Sequence, residues 1–156
     1  MNYIIKHIST RDTYLIRHPV LRSGKPIESC VFDGDDLNTT FHLGIYTENR
    51  LVGVCSFFKN KNQLLPEAFQ YQLRGMAILN EYQNIGLGKL ILNYGENLLK
   101  EQNIQTIWCN ARENAESFYK KMDYKIIGES FNIKNIGLHY VMHKTLKYKN
   151  PDIQGF

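Results

Sequence analysis

The most constraining stretch of this chain is residues 71–99, YQLRGMAILNEYQNIGLGKLILNYGENLL. A β-prone run leads into Gln83-Asn84-Ile85-Gly86-Leu87-Gly88, and an amphipathic pattern follows. That reads as a strand, a tight turn and a helix. With another strand after the helix it forms a β-α-β crossover, which demands one parallel, right-handed pair in the sheet. Such a turn aims backbone N–H groups at one spot, at the positive end of a helix. It suits a phosphate-bearing ligand.

The flanking elements read as follows. Residues 2–8 alternate apolar and polar and predict a strand. Ser9 or Thr10 can cap a helix through about Val20, with Asp12 in its first turn. Residues 23–40 lack periodicity and read as a long loop with at most one short helix. Strands at 41–47 and 51–59 flank Glu48-Asn49-Arg50, a hairpin-length connection. After a loop at 60–67 comes a strand at about 69–79, then the turn and a helix from about Leu87 to Gln102. In that helix Leu87, Leu90, Ile91, Tyr94 and Leu98 are expected to share the packed face. A strand at 104–110, a short helix at 113–122 and strands at 124–129 and 138–147 complete the order. The pattern predicts an α/β chain of the α+β, mixed-sheet kind. It is a single domain, residues 1–148, with six to seven strands, helices on both faces and a C-terminal tail at 149–156.

Composition narrows the function. At 156 residues and 43% hydrophobic, the chain can bury a core and is not disordered. Cys30, Cys55 and Cys109 are odd in number and widely spaced, which argues against a disulfide framework or a zinc knuckle. His139 and His143 lie four apart in a strand, which is no compact ligand pair, so no metal site is expected. No signal peptide and no membrane span is evident, and a cytoplasmic setting is the expectation. The net charge of +4 is spread thinly; its densest cluster is Lys144, Lys147 and Lys149. A nucleic-acid partner would need a more focused basic face.

The glycine turn alone leaves its ligand open. A dinucleotide fingerprint needs GxGxxG, but position 91 is Ile. A Walker loop needs a hydroxyl after Gly-Lys, but Leu90 follows Lys89. A tight strand-to-helix turn without any ligand is the remaining reading. Its context adds more. Gln83-x-x-Gly86-x-Gly88 resembles the [QR]xxGx[GA] signature of the GNAT superfamily of N-acetyltransferases. NAREN-AESFYKKMDYKIIG, after the next strand, resembles that superfamily's N…A…FYxxxGF segment. The resemblance spans roughly residues 41–147 and is similar to a bacterial branch with mostly unassigned substrates. Four positions depart from the pattern. Asn84 replaces a Gly but tolerates positive φ. Asp123-Tyr124 replaces Gly-Phe, and Asn80 replaces a Pro.

The resemblance implies transfer of the acetyl group from acetyl-CoA to a primary amine, on a small molecule or a protein, by direct attack in a ternary complex. Backbone groups of Gln83, Asn84, Ile85, Gly86, Leu87 and Gly88 would hold the pyrophosphate, and the Gln83 side chain would assist. Met76, Ala77 and Ile78 would pair with the pantetheine arm, and Gly75 fits a bulge that opens the slot. Asn114 would hydrogen-bond the pantetheine. Tyr119 would protonate the departing thiolate, since a phenol near pKa 10 is close to a thiol near 8.5. A core aromatic is the plainer reading of Tyr119, and a helix-start cap that of Asn114. Glu28 is the candidate base, from a loop that also carries Asp33, Asp35 and Asp36. Ordinary solvated acids are the alternative for each. His42 and His139 are further candidates to face the cleft. The acidic loop hints at a cationic acceptor. The competing function is a non-catalytic acyl-CoA-binding sensor. Dimerisation is common in this superfamily, but no interface can be read from the sequence.

Overall fold

The computed structural model describes residues 2–147, so the expected tail at 149–156 lies outside the described residues. Its strands are β1 (Tyr3–Ile8), β2 (Phe41–Thr47), β3 (Arg50–Phe58), β4 (Gln70–Ile78), β5 (Thr106–Arg112), β6 (Lys125–Ile133) and β7 (Gly137–Thr145). Its helices are α1 (Thr10–Leu21), α2 (Leu87–Glu101) and α3 (Glu116–Lys121). One seven-stranded sheet runs in the order β1-β2-β3-β4-β5-β7-β6. It is mixed: β4 and β5 are parallel, and the β1–β2, β2–β3, β5–β7 and β6–β7 pairs are antiparallel. The order of elements is the one the sequence predicts. The chain forms two compact units, residues 2–59 with 73–95, and 60–72 with 96–147.

In the first unit, Ser9 caps α1 by accepting from the Asp12 N–H at 3.1 Å. The β2–β3 connection is shorter than expected. Arg50 already belongs to β3, and only Glu48 and Asn49 turn the chain, at φ 50° and 64°. Two consecutive positive φ values match a turn whose twist suits the strands. Ile16 of α1 packs on Val54 and Ala77, flanked by Ile8, Val20, Leu21, Leu51 and Leu79.

The packed face of α2 differs from expectation. Leu87, Ile91 and Leu92 are buried, whereas Leu90 and Tyr94 are exposed at 47% and 39%. The cause is Gly95: a Cβ there would overlap the Phe57 ring, so the helix turns its smallest residue to that ring. The buried stripe therefore follows positions 87, 91 and 95. A hydrophobic count sees no glycine and centres the stripe one residue too early.

In the second unit, β4 begins with Gln70, Tyr71 and Gln72 paired to Thr106, Ile107 and Trp108. Leu65, Trp108 and Val141 form the core there, with Ile127 and Phe131 against them. The last turns of α2 carry Glu96, 1% exposed, which accepts from the Tyr124 hydroxyl and from Lys144, both at 2.7 Å. Burial and the Glu96 charge raise the Tyr124 phenol well above its ordinary pKa. Helix α2 ends at Asn103 (φ 63°), with Ile104 N–H bonded to Leu99 O, so β5 starts at 106 rather than 104. Helix α3 ends the same way at Asp123 (φ 70°), with Tyr124 N–H on Tyr119 O at 2.9 Å. The residue that departs from the family's glycine thus takes the left-handed conformation that the glycine would. All three cysteines are buried and free.

Candidate functional site

The glycine turn is built in the first unit by its own polar groups. A short 3₁₀ turn at Asn80–Tyr82 precedes it. Gln83 donates its amide to Ile78 O at 2.8 Å and to Asn80 Oδ1 at 3.1 Å. Both N–H groups of that amide therefore brace the turn against the end of β4. Asn84 takes φ 63° and Gly86 φ 91°. Asn is the residue other than glycine most at ease there. A Cβ at Gly86 would meet nothing within 4 Å, so its glycine serves the backbone angle and an open approach.

Helix α2 opens at this turn, with the Leu90 N–H bonded to Gly86 O at 3.1 Å. The N–H groups before Leu90 have no intrahelical acceptor. The other two helices place an acid in their first turn, Asp12 in α1 and Glu116 in α3. Helix α2 has none there. Its positive end therefore carries no carboxylate of its own first turn. Residues 83–86 are exposed.

Met76, Ala77 and Ile78 form the end of β4. Gly75, just before them, has φ 67°, a left-handed angle that favours glycine. A Cβ there would also crowd the Phe32 ring at 3.0 Å and Arg17 Nε at 3.2 Å. The glycine turn and the strand end are tied together through the Gln83–Ile78 bond.

In the second unit, Asn114 is exposed on a 3₁₀ turn, Glu113–Ala115, and Tyr119 lies on α3. The helix expected from 113 thus begins as a 3₁₀ turn. Tyr119 is 7% exposed, with its ring 5.0 Å from Phe118 and 5.4 Å from Tyr124. His139, on β7, stacks on Phe131 and bonds its Nδ1 to Gly137 O at 2.8 Å.

The 23–40 segment holds the acids differently from a row of solvated carboxylates. Glu28 is exposed on the turn Ile27–Cys30, and Asp33 is exposed. Asp36 accepts from Thr10 Oγ1 at 2.7 Å. Asp35 is buried and takes both arms of the Arg17 guanidinium, at 2.8 and 3.0 Å, plus the Phe32 N–H at 2.8 Å. Arg17, fully buried, also donates to Cys30 O and Ser56 Oγ, each at 2.9 Å. Asp35 O can only accept from His42 Nε2, so the Ser56 hydroxyl proton points to His42 Nδ1, 2.6 Å away. The His42 ring then carries its proton on Nε2 and donates to Asp35 O at 2.9 Å. Burial pulls the His42 pKa below its ordinary value, and the Arg17 charge adds to this.

Sequence reasoning missed Arg17, Ser56 and Arg74, whose guanidinium lies on Phe32 and Phe58. A signal existed for Arg17: it falls beside Ile16 on the inward face of α1, where a charge needs a buried partner.

The Acetyltransferase (GNAT) domain model matches residues 34–146. An uncharacterised N-acetyltransferase of Bacillus subtilis (strain 168), YitI, is 41% identical over 143 residues, covering 92% of this chain and 96% of that protein. Two solved structures share the fold at low identity. Aminoglycoside 6'-N-acetyltransferase complexed with coenzyme A has a TM-score of 0.74 at 14% identity, covering 94% of this chain and 99% of that one. Ard1 from Thermoplasma volcanium has 0.75 at 16%, with the same coverage of 94% and 99%. The chain therefore belongs to the GNAT acetyltransferases, which makes it an acetyl-CoA-dependent acyltransferase.

Proposed function

We propose that this protein transfers the acetyl group of acetyl-CoA to a primary amine, by direct attack in a ternary complex. The observation that carries the reading is the exposed turn at the start of α2. It has Asn84 and Gly86 at positive φ, Gln83 as its brace, and no acid in the first helical turn. Because the Gln83 N–H bonds to Asn80 O at 3.3 Å, backbone N–H groups of residues 84–88, rather than 83–88, would take the pyrophosphate. The edge of Met76, Ala77 and Ile78 would take the pantetheine amides, joined by Asn114. One N–H of that edge would face the thioester oxygen and stabilise the developing oxyanion, worth about 10²–10³-fold in rate.

The steps balance as follows. The free amine nitrogen attacks the acetyl carbon and forms a tetrahedral intermediate. The carbon–sulfur bond breaks, and the thiolate takes a proton from the Tyr119 hydroxyl. The amine's excess proton leaves through water to a base such as Glu28, which is solvent-accessible, and a proton from solvent restores the Tyr119 hydroxyl. The setting we infer is the cytoplasm, where acetyl-CoA is at hand. No helix among the described residues is long and apolar enough to cross a membrane.

The test is thiol release from acetyl-CoA across a library of primary amines. Acetylation of at least one amine is expected, and Tyr119→Phe should lower kcat by about 10²–10⁴-fold while acetyl-CoA still binds. Tight acetyl-CoA binding with no amine-dependent thiol release would overturn the reading.

A further inference from the structure

Three arginines converge on one aromatic ring in the first unit. The guanidinium carbons of Arg17, Arg74 and Arg22 lie 3.9, 4.6 and 5.5 Å from the Phe32 centroid. Arg74 lies also 5.4 Å from the Phe58 centroid. The three differ in what else they hold. Arg17 is saturated by Asp35, Cys30 and Ser56, apart from its buried Nε. Arg22 donates to the Ser29 and Leu21 carbonyls. The Arg74 side chain makes no ion pair and no hydrogen bond among the described residues.

The local charges do not cancel. Arg17 and Arg22 act on Arg74 from one side of the balance, Asp35 and Asp33 from the other. Asp35 is already neutralised by Arg17, which leaves the exposed Asp33 acting on Arg74 against the charge of Arg22. Asp35 is buried and committed to Arg17 and the Phe32 N–H; Asp33 is exposed and reaches Arg74 only through space. Half-burial also penalises the charged guanidinium, so a counter-anion would relieve it. Two aromatic faces hold the side chain in place, which leaves its planar fork ready for an incoming oxyanion.

Position gives this cation a use. Arg74 immediately precedes Gly75, whose backbone lies against the same Phe32–Arg17 cluster, and it stands two residues before Met76. We infer that Arg74, seated on Phe32 and Phe58, binds an anionic group of the acceptor, a carboxylate or a phosphate, so that the amine acetylated here is itself acidic. This rests on the N-acetyltransferase reading above. It reverses what the acids at 28–36 suggest by their number, since Asp35 and Asp36 already have partners in this fold.

The experiment compares matched acceptors with the full chain and acetyl-CoA. They are amino acids against their amides, 2-aminoethyl phosphate against ethanolamine, and a polyamine. The anionic member should be preferred, and the two pairs tell a carboxylate from a phosphate. Arg74→Gln should lower kcat/KM for the anionic acceptors by about 10- to 100-fold relative to their neutral counterparts, without a matching rise in KM for acetyl-CoA. Arg74→Lys should retain part of the preference. The inference falls if the polyamine is the best acceptor, if Arg74→Gln lowers neutral and anionic acceptors alike, or if it chiefly weakens acetyl-CoA. Should Arg74→Gln not fold, the preference of the unaltered chain and of Arg74→Lys decides in the same way. If no amine is acetylated, calorimetry with an N-acetyl amino acid and its amide separates the two readings. Selective binding of the acid that is lost in Arg74→Gln and partly kept in Arg74→Lys keeps the anion site and faults the transferase reading. Equal or absent binding of both overturns the anion site.

Discussion

The Arg17–Asp35 pair makes the strongest stability prediction, because it is buried and Arg17 grips the 23–40 segment at both Cys30 and Asp35. Replacing Arg17 by Met removes four hydrogen bonds, to Cys30 O, both Asp35 oxygens and Ser56 Oγ. It leaves the Asp35 carboxylate, with a side chain 2% exposed, with the Phe32 N–H as its remaining close donor. Breaking one side of such a pair costs about 3–5 kcal/mol. Asp35→Asn strands the guanidinium instead and should cost a similar amount. The double variant Arg17→Met/Asp35→Asn strands no charge. Its loss should therefore fall short of the summed single losses by about 1–3 kcal/mol. Urea unfolding followed by circular dichroism measures all three. For a chain of this size each single change should lower Tm by roughly 6–20 °C. A loss under about 1 kcal/mol for Arg17→Met, or strict additivity in the double variant, would refute the claim that the pair locks the 23–40 segment to α1.

Two further predictions follow from buried groups. His42 has its pKa lowered in the folded state by burial, so below about pH 6.5 the unfolded chain takes up a proton that the folded chain refuses. Stability is then full above about pH 6.5 and declines as pH falls, by up to about 1.4 kcal/mol per unit; denaturation midpoints at pH 5 to 7.5 should show a flatter dependence in His42→Gln, and an unchanged slope would count against the burial argument. Gly95→Ala should destabilise by about 1–3 kcal/mol in thermal unfolding, because its Cβ would enter the Phe57 ring, and a neutral result would mean the helix can shift away freely.

Much of this fold could be read in advance because its signals are local. Period-two alternation marks β1, and the hairpin-length connection after Thr47 joins β2 to β3. The crossover through α2 fixes β4 and β5 as the parallel pair. What escaped depends on contacts far apart in sequence. The placing of β7 between β5 and β6 follows from pairings such as Trp108 with His143 and Lys125 with His143, to which no local pattern points. The same holds for the site. The glycine turn and its Gln83 are legible because a helix start has fixed chemistry. The partner of Asp35 lies 18 residues away on another element, so the loop reads as free acid until the fold is seen. Arg74 reads as one strand residue among others for the same reason: Phe32 and Phe58, which seat it, come from distant parts of the chain.

The burial of Cys30, Cys55 and Cys109 has a practical consequence. Burial raises the pKa of all three thiols, so the native chain offers almost no thiolate to a disulfide dye. Such a dye would answer only to the coenzyme A that leaves during turnover, with little background from the enzyme. Held without substrate, the same dye becomes a clock: it labels three sulfurs per chain only as fast as the protein opens. One reagent would then report both how quickly the molecule works and how long it stays folded.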